Sequence, residues 1–326
     1  LKVYNTKSRT KETFAPMVEG RIGMYVCGVT VYDMSHIGHA RCYVAFDVIF
    51  RYLRHLGYEV NYVRNFTDVD DKIIKRANEL GVPTRELAER NIVEYHADMD
   101  ALRCLRPSGE PRVTDHIPDI VALVQRIIDN GHGYVADDGS VYFSIDTYPQ
   151  YLELSGRNIE DMVAGASDRV ETDTNKRNPL DFVLWKPSKE GEPSWDSPWS
   201  AGRPGWHIEC SAMSARHLGD AFDIHGGGKD LVFPHHENEI AQSKAASGDE
   251  FARYWLHNGF VNIDQEKMSK SLDNFFTIRE VLKLYHPEAV RAFLLATHYR
   301  SPINYSTRNL EEATGRIEYM YQTLAT

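Results

Sequence analysis

The chain has 326 residues, which is enough for about two domains with a sizeable core. Hydrophobic residues make up 42% and charged residues 26%, a composition typical of globular proteins that excludes a disordered or coiled-coil chain. The formal net charge of -10 excludes a general basic coat for nucleic acid, so any such contact would depend on local basic patches.

Two further features bear on where the protein works. No apolar run approaches the ~20 residues that a membrane helix needs, and the N-terminus lacks the apolar core of a signal peptide. The four cysteines, Cys27, Cys42, Cys104 and Cys210, have no short paired spacing, which favours reduced thiols over disulfides. We therefore expect a cytoplasmic protein with no membrane partner, and we expect a monomer.

The first regular elements form a βαβ unit. Residues 21–27 predict a buried strand that ends at Gly28, and residues 39–56 have apolar side chains at helical spacing. Gly57 ends this helix, and residues 59–64 predict a second strand. This order predicts a parallel sheet with right-handed crossovers.

The following elements predict an inserted unit and a second half of the sheet. We expect helices at 71–80, 84–102 and 118–130, a β-hairpin within 134–145, and a looser Trp- and Pro-rich stretch over 146–204. The sheet resumes at 221–225, and a helix at 234–247, an apolar segment at 254–261 and a helical end from 309 onward follow. Thr277 and Glu280 predict a capping box, and Pro287 predicts the start of another helix.

The first candidate site is the segment 30–39, which follows the first strand and opens the first helix. A helix N-terminus attracts phosphates, and His36 and His39 lie one turn apart there, so both could hydrogen-bond a nucleotide phosphate. Gly38 would let the nucleotide approach the backbone. The alternative, a pair of ordinary capping histidines, has about equal weight for this motif alone.

The second candidate site is the polar segment Lys267-Met268-Ser269-Lys270-Ser271. Two lysines around a small centre suit a mobile loop that closes over a polyphosphate, although such a segment alone is more often a solvated surface loop. The sequence has no G-x-x-x-x-G-K-[ST] and no G-x-G-x-x-G motif, and the glycines at 226–228 lack the context of a phosphate loop.

The third candidate is a metal site built from distant residues. Two thiolates, an imidazole and a carboxylate, from Cys27, Cys210, His235 and Glu239, make a suitable shell for Zn²⁺. His235 and Glu239 are four residues apart and would share one helix face. His236 is near enough to replace His235, but it would share a face with Glu239 less well. A buried cysteine pair beside a capping His-His-Glu run has equal weight.

These motifs together resemble a known family. The pair HIGH and KMSKS, in this order around a βαβ sheet, resembles the signature of the class I aminoacyl-tRNA synthetases. The segments YVCGVTVYD, FTDVDDKII, RPGWHIECSAMS and HGGGKDLVFPHHENEIAQS are similar to the cysteinyl-tRNA synthetases, and this resemblance runs from about residue 3 to 310.

The resemblance implies a cysteine–tRNA ligase that forms cysteinyl-adenylate from cysteine and ATP, with Mg, and transfers it to tRNA(Cys). It implies one zinc per chain, which takes the substrate thiol and is bound by Cys27, Cys210, His235 and Glu239. It assigns the cysteine pocket to Gly28, Thr67, Trp206 and Asp230. It assigns catalysis to His36, His39, Lys267 and Lys270, of which His36, His39 and Lys270 bind ATP.

The resemblance also implies an architecture: an α/β fold with a Rossmann-like parallel-sheet catalytic domain, an inserted connective subdomain and a C-terminal helical segment. We predict a first catalytic half at 1–104, the insert at 105–204, a second catalytic half at 205–262, and the KMSKS loop with a helical stem-contact region at 263–308. Residues 309–326 would begin a helical domain that the chain cuts short. Since the family normally continues into an anticodon-binding domain, anticodon reading by this chain is in doubt.

Two other functions stay open at this point. Mycothiol cysteine ligase resembles the synthetase and shares its first step, but it joins cysteine to an amino sugar. Against it, His225 before the glycines and Asn238-Glu239 resemble the tRNA enzyme. The other alternative is a non-catalytic zinc-binding paralogue that docks partners, although a scaffold has no need of the two phosphate-binding motifs.

Overall fold

The structure is a computed structural model that describes residues 1–158, 175–263, 266–267 and 275–325. The strands are β1 Lys2–Asn5, β2 Thr10–Thr13, β3 Arg21–Thr30, β4 Glu59–Thr67, β5 Gly133–Val135, β6 Val141–Phe143, β7 Phe182–Pro187, β8 Gly202–Pro204, β9 Phe222–Gly228, β10 Ala252–Asn258, β11 Val261–Ile263, β12 Glu266–Lys267 and β13 Ile303–Tyr305. The α-helices are α1 Ile37–His55, α2 Asp71–Leu80, α3 Thr84–Ala101, α4 Ile117–Asp129, α5 Ile208–Leu218, α6 Glu237–Ser247, α7 Ile278–Leu282, α8 Pro287–Leu294 and α9 Thr307–Ala325.

A four-stranded parallel sheet positions the candidate site. Its strand order is β10-β9-β3-β4, and every neighbouring pair is parallel. The units β3-α1-β4 and β9-α6-β10 therefore run outward in opposite directions from the β3–β9 pair. Ligands of such sheets bind beyond the carboxyl ends of the strands at the point where the order reverses. The predicted Rossmann-like fold is confirmed.

The sheet is buried on both faces, as a parallel sheet with helical crossovers requires. Successive side chains of β3 and β10 point to opposite faces, so Met24 and Leu256 belong to one hydrophobic cluster and Tyr25 and Trp255 to the other. The first cluster includes side chains of α1, α3, α8 and α9, and the second includes those of α4, α5 and α6.

The segment predicted as an insert contains a second sheet. The strands β5, β6, β7 and β8 form it in sequence order, and each neighbouring pair is antiparallel. The β5–β6 pair is the predicted hairpin. The strands β7 and β8 were not predicted, since their Trp- and Pro-rich surroundings resemble loop sequence. The proposed domain boundaries themselves stay predictions.

Local capping signals located several helix ends correctly. Thr277 and Glu280 form the predicted reciprocal capping box at the start of α7, and Pro287 is the first residue of α8. The helix predicted at 234–247 differs at its start. Residues Val232–His236 form a π-helical turn before α6, and Phe233 has extended backbone angles (φ -143°, ψ 132°). The two histidines of this turn therefore do not lie on a regular helix with Glu239.

Small strands at the margins were not predicted. The β1–β2 hairpin and the three-stranded sheet β12-β11-β13 consist of strands of two to four residues, too short for a periodic hydrophobic pattern. Within the described ranges, no helix has both the length and the apolar character needed to cross a membrane.

Gly28 marks a close approach of two strands beside the candidate site. The register between β3 and β4 shifts between Val26 and Val29, and the Gly28 N–H donates to Asn65 Oδ1 at 2.8 Å. A Cβ atom at Gly28 would lie 1.5 Å from the Asn65 carbonyl oxygen. Only glycine therefore permits this backbone contact.

We expect Gly28→Ala to lower the free energy of unfolding by at least about 3 kcal/mol, because the backbone of β4 must move to admit the methyl group. Urea unfolding measures the change. The control is Gly109→Ala, where the added Cβ would meet Val63 Cγ2 at 3.9 Å, an ordinary contact. A control change as large as that of Gly28→Ala would contradict the explanation.

Candidate active site

Four buried side chains from four segments meet at the carboxyl end of β3. Cys27 lies on β3, Cys210 in the first turn of α5, His235 in the π-helical turn and Glu239 in α6. One potential ligand atom from each lies within 4.8 Å of all the others. The two Sγ atoms are 3.7 Å apart, and His235 Nε2 is 3.1 Å from Glu239 Oε1. The structure thus brings together the four residues predicted as zinc ligands.

A second ligand set overlaps the first. Cys27 and Glu239 also lie within 4.8 Å of His225 and His236. His225 Nε2 is 2.8 Å from Glu239 Oε2, and His236 Nε2 is 3.3 Å from Cys27 Sγ. The sequence considered His236 only as a substitute for His235 and gave His225 no metal role. The β3–β9 pairing, which sets His225 opposite Tyr25, was the missing information.

The thiols of the cluster differ in acidity. Burial raises the pKa of Cys27 well above its usual value, and the neighbouring Cys210 raises it further. The hydrogen bond that Cys27 donates lowers the pKa of Cys210 to about 6 in spite of burial. Cys210 is therefore the more acidic of the two thiols.

The imidazole and carboxylate of the cluster form a charged pair. Burial opposes protonation of His235, but Glu239 and the Cys210 thiolate raise its pKa to about 10. Burial likewise opposes ionisation of Glu239, but His225 and His235 lower its pKa to about 2. Two sulfurs, one nitrogen and one carboxylate oxygen fit a borderline-soft divalent ion, whose charge would replace the proton held by His235.

Three of the predicted cysteine-pocket residues surround this cluster. The Trp206 ring lies 4.5 Å from the His235 ring, between centroids. Thr67 is buried, and its hydroxyl donates to Glu209 Oε2 at 2.9 Å. Gly28 is linked to the cluster through Asn65. The Gly28 N–H donates to Asn65 Oδ1, which is 3.8 Å from Cys210 Sγ.

A cavity of about 230 Å³ opens beside the cluster. Trp206, His207 and Glu209 are among the residues that line it. Glu209 is 1% exposed and had no role in the sequence analysis, although it lies directly before Cys210. Burial raises the pKa of Glu209 well above its usual value, with Cys210 adding to the effect.

Asp230 is the fourth predicted pocket residue. It is exposed on the 3₁₀ turn Lys229–Leu231 that follows β9, and it lines a separate cavity of about 650 Å³. Neither Trp206 nor Thr67 lines that cavity. Asp230 and Trp206 therefore line different cavities, and the role of Asp230 in the cysteine pocket stays a prediction.

The two histidines of the first motif cap α1 reciprocally. His36 Nδ1 accepts from the backbone N–H of His39 at 3.4 Å, and His39 Nδ1 accepts from that of His36 at 3.2 Å. Their rings stack with centroids 3.8 Å apart. A neutral imidazole that accepts at Nδ1 carries its proton on Nε2. Capping therefore leaves each ring in the tautomer with an Nε2–H donor at the helix N-terminus.

The chain segment after the lysine motif lies against this helix end. The Ile37 N–H donates to the Phe276 carbonyl at 3.0 Å, and the Ile278 N–H donates to the Ser35 carbonyl at 2.9 Å. The backbone of Lys267 belongs to β12, where it pairs with Asn262 of β11. Lys270 lies outside the described residues.

Known proteins share this sequence and fold. Residues 13–315 match the family model of the tRNA synthetases class I (C) catalytic domain. The chain is 64% identical over 325 residues to the cysteine–tRNA ligase of Trichlorobacter lovleyi, covering 100% of this chain and 66% of that protein. It is 65% identical over 322 residues to the chloroplastic/mitochondrial cysteine–tRNA ligase of Arabidopsis thaliana, covering 99% of this chain and 57% of that protein.

A solved structure supports the fold independently. Mycobacterium tuberculosis methionyl-tRNA synthetase in complex with methionyl-adenylate superimposes with a TM-score of 0.69 at 19% identity, covering 90% of this chain and 67% of that chain. The chain spans less than two thirds of the length of both ligases, 66% and 57%. Because the family model matches nearly the whole sequence, the chain belongs to the class I tRNA synthetase (C) catalytic domain family.

Proposed function

We propose that this chain carries the activity of a cysteine–tRNA ligase: it activates cysteine with ATP to cysteinyl-adenylate and transfers cysteine to the terminal adenosine of tRNA(Cys). The observation that carries the proposal is the meeting of the two-sulfur cluster and the His36–His39 helix end at the carboxyl edge of one parallel sheet. The similarity to two cysteine–tRNA ligases, at 64% and 65% identity, supports it.

In the activation step, the cysteine carboxylate attacks the α-phosphorus of ATP, and pyrophosphate leaves. The chain forms no covalent bond to substrate, so its contribution is positioning and stabilisation of phosphate charge. His36 and His39 donate from Nε2, and the N-terminus of α1 adds a partial positive charge. On the basis of the sequence motif, Lys267 and Lys270 are also part of the proposed catalytic machinery. Mg is proposed as the partner of the ATP phosphates.

Selection of cysteine is the proposed role of the metal cluster. A pocket without a metal would discriminate between a thiol and a hydroxyl by only about 1–3 kcal/mol, because the two groups differ little in size. Bound at Cys27, Cys210, His235 and Glu239, zinc would supply a Lewis acid that prefers a thiolate to a hydroxyl. Trp206 closes one side of the cluster through its contact with the His235 ring.

The experiment is cysteine-dependent exchange of labelled pyrophosphate into ATP, without tRNA. We expect exchange with cysteine and at most about 1% of that rate with serine at equal concentration, because discrimination of several kcal/mol corresponds to at least that ratio. No exchange by the zinc-loaded chain would overturn the proposal, and equal exchange with serine would remove the proposed role of the cluster.

The exchange assay and a transfer assay separate the alternatives. A non-catalytic paralogue would give no exchange, and a mycothiol cysteine ligase would give exchange followed by transfer to an amino sugar instead of tRNA. The relatives favour neither alternative. The monomeric state and the cytoplasmic location remain part of this proposal, and sedimentation and fractionation of cells would check them.

A further inference from the structure

Two histidine rings meet at the protein surface, outside the metal cluster of the candidate active site. His116 Nε2 is 3.0 Å from His217 Nε2, although the two residues are 101 positions apart in the sequence. Their ring centroids are 5.1 Å apart, at an interplanar angle of 50°. Neither histidine belongs to the two ligand sets that share Cys27 and Glu239. We call these two residues the His116–His217 pair.

Packed helices set the distance between the two rings. His116 is the N-cap residue of α4, and its backbone N–H donates to the Val113 carbonyl at 2.9 Å. His217 lies in the last turn of α5. The residues that follow them, Ile117 and Leu218, pack in the same hydrophobic cluster. Sites built on packed helices keep their geometry better than sites on loops, so the two rings are held where they meet.

The His116 ring is oriented as a metal-binding histidine usually is. Its Nδ1 is 2.7 Å from the Arg112 carbonyl oxygen, which only accepts hydrogen bonds. The proton of the neutral ring is therefore on Nδ1, and Nε2 has a lone pair directed at His217. Histidines that bind metals almost always donate their other ring N–H to a carbonyl, a carboxylate or water.

The His217 ring is also neutral at pH 7. Partial burial lowers the pKa of His217, and the charges of His116 and Arg216 lower it further. A neutral imidazole is the form that binds a metal ion. Both rings can therefore offer an Nε2 lone pair to the space between them.

The distance between the two nitrogens fits a shared ion. Imidazole nitrogens bind divalent transition metals at ~2.0–2.1 Å, so two ligands at a right angle are about 3.0 Å apart and two at the tetrahedral angle about 3.4 Å apart. The observed 3.0 Å matches the right angle. Right angles between ligands are typical of the tetragonal sites of Cu²⁺ and Ni²⁺. The other arrangement that the distance allows is a hydrogen bond from one ring to the other.

The nearby charges do not oppose a cation. Asp119 follows His116 by one helical turn, and its Oδ1 is 3.9 Å from Arg216 Nε. The two side chains are 37% and 67% exposed, and an exposed pair at this distance is weak. The negative charge of Asp119 thus offsets the positive charge of Arg216 beside the histidines.

We infer that the His116–His217 pair is a metal site separate from the cysteine-lined cluster, and that it binds a borderline divalent transition-metal ion through the two Nε2 atoms, with water as the remaining ligands. Such an ion would join α4, in the segment predicted as the insert, to the end of α5. Since α5 has Cys210 in its first turn, the ion would hold the helix that supplies one sulfur of the candidate active site. The inference does not depend on the proposed function.

The test is equilibrium dialysis of the zinc-loaded chain against Ni²⁺, with nickel and zinc contents measured together. We expect one nickel ion per chain in addition to the zinc. His116→Gln and His217→Gln should each lower the affinity for nickel by at least about tenfold, because each removes one of the two protein ligands and even residues that only support ligands account for 10–100-fold. Circular dichroism checks that both variants are folded.

Thermal unfolding gives a second measurement. Because the two ligands come from different helices, nickel should bind the folded chain only and raise its Tm by about 3 °C at a concentration about 100 times its Kd. Neither variant should show this rise. If the contact is only a hydrogen bond between the rings, nickel will leave the Tm of the unchanged protein as it is, which contradicts the inference.

The matched control is His55→Gln, which removes another exposed histidine from the last turn of a helix, α1. We expect it to bind nickel as the unchanged protein does. Nickel affinity that falls equally in the control, or that persists in both variants of the pair, overturns the inference. So does loss of one zinc for each nickel bound, which would assign the nickel to the cluster of Cys27, Cys210, His235 and Glu239.

Pyrophosphate exchange keeps this inference separate from the proposed function. We expect both variants of the pair to exchange at the rate of the unchanged protein, since neither histidine belongs to the proposed catalytic machinery. Exchange in a chain without a nickel site that depends on the pair would leave the proposed function intact and refute the inference. A nickel site that depends on the pair, in a chain without exchange, would do the reverse.

Discussion

Cys210→Ser is expected to weaken metal binding and cysteine binding together while leaving the KM for ATP nearly unchanged. The substitution removes the most acidic thiol of the cluster. A serine hydroxyl does not ionise at neutral pH, so it cannot replace the thiolate as a ligand. Loss of one ligand should weaken metal affinity by at least about 100-fold, since even residues that only support ligands account for 10–100-fold. Metal content after dialysis and the KM values for cysteine and ATP in exchange measure these effects.

A spectroscopic measurement separates a cysteine-selecting metal from a structural one. In the Co²⁺-loaded protein, we expect sulfur-to-metal charge-transfer absorption that changes on addition of cysteine and not of serine. Cys104→Ser is the matched control, because Cys104 is also a buried thiol but lies outside both ligand sets. If the spectrum did not change on addition of cysteine, the metal in the cluster would serve only to support the fold.

His39→Gln is expected to lower the turnover number of exchange by about 10²–10³-fold, with a much smaller change in the KM for ATP. Glutamine at the third helical position can still bond back to the N-cap N–H, as in an ordinary capping box, so the start of α1 is preserved. The variant therefore removes the Nε2–H donor and keeps the cap. Steady-state exchange over a range of ATP concentrations gives the two constants separately.

The paired variant His39→Ala removes the cap as well as the donor. We expect it to lose as much turnover as His39→Gln and, in addition, about 0.5–2 kcal/mol of unfolding free energy. If His39→Gln retained full turnover, the His36–His39 pair would serve only to cap α1, which is the alternative that the motif alone left open.

Much of the fold and of the candidate site could be read from local sequence signals. The β3-α1-β4 unit, the start of α8 at Pro287 and the capping box at Thr277 depend on residues within a few positions of each other. The proposed metal ligands and the His36–His39 motif followed from residue types with specific chemistry, supported by a resemblance along nearly the whole chain.

The strand order decided the rest of the site. His225 becomes a neighbour of Glu239 and Cys27 only because β9 pairs with β3, which are about 200 residues apart in the sequence. The irregular π-helical turn then brings His236 as well as His235 to the cluster, although helical spacing favoured His235 alone. The periodicity of the local sequence predicts neither of these contacts.

The tertiary structure also separated residues that the sequence grouped together. Asp230, which the resemblance assigned to the cysteine pocket with Trp206, lines a different cavity from Trp206. The cations that line the cavity of about 650 Å³, Arg9, Arg157, Lys229 and Arg300, come from four separate segments: the β1–β2 hairpin, residues 154–157 and the segments after β9 and α8. Residue chemistry is local and can be read along the chain, whereas charge density and cavity shape arise only where distant segments pack against each other.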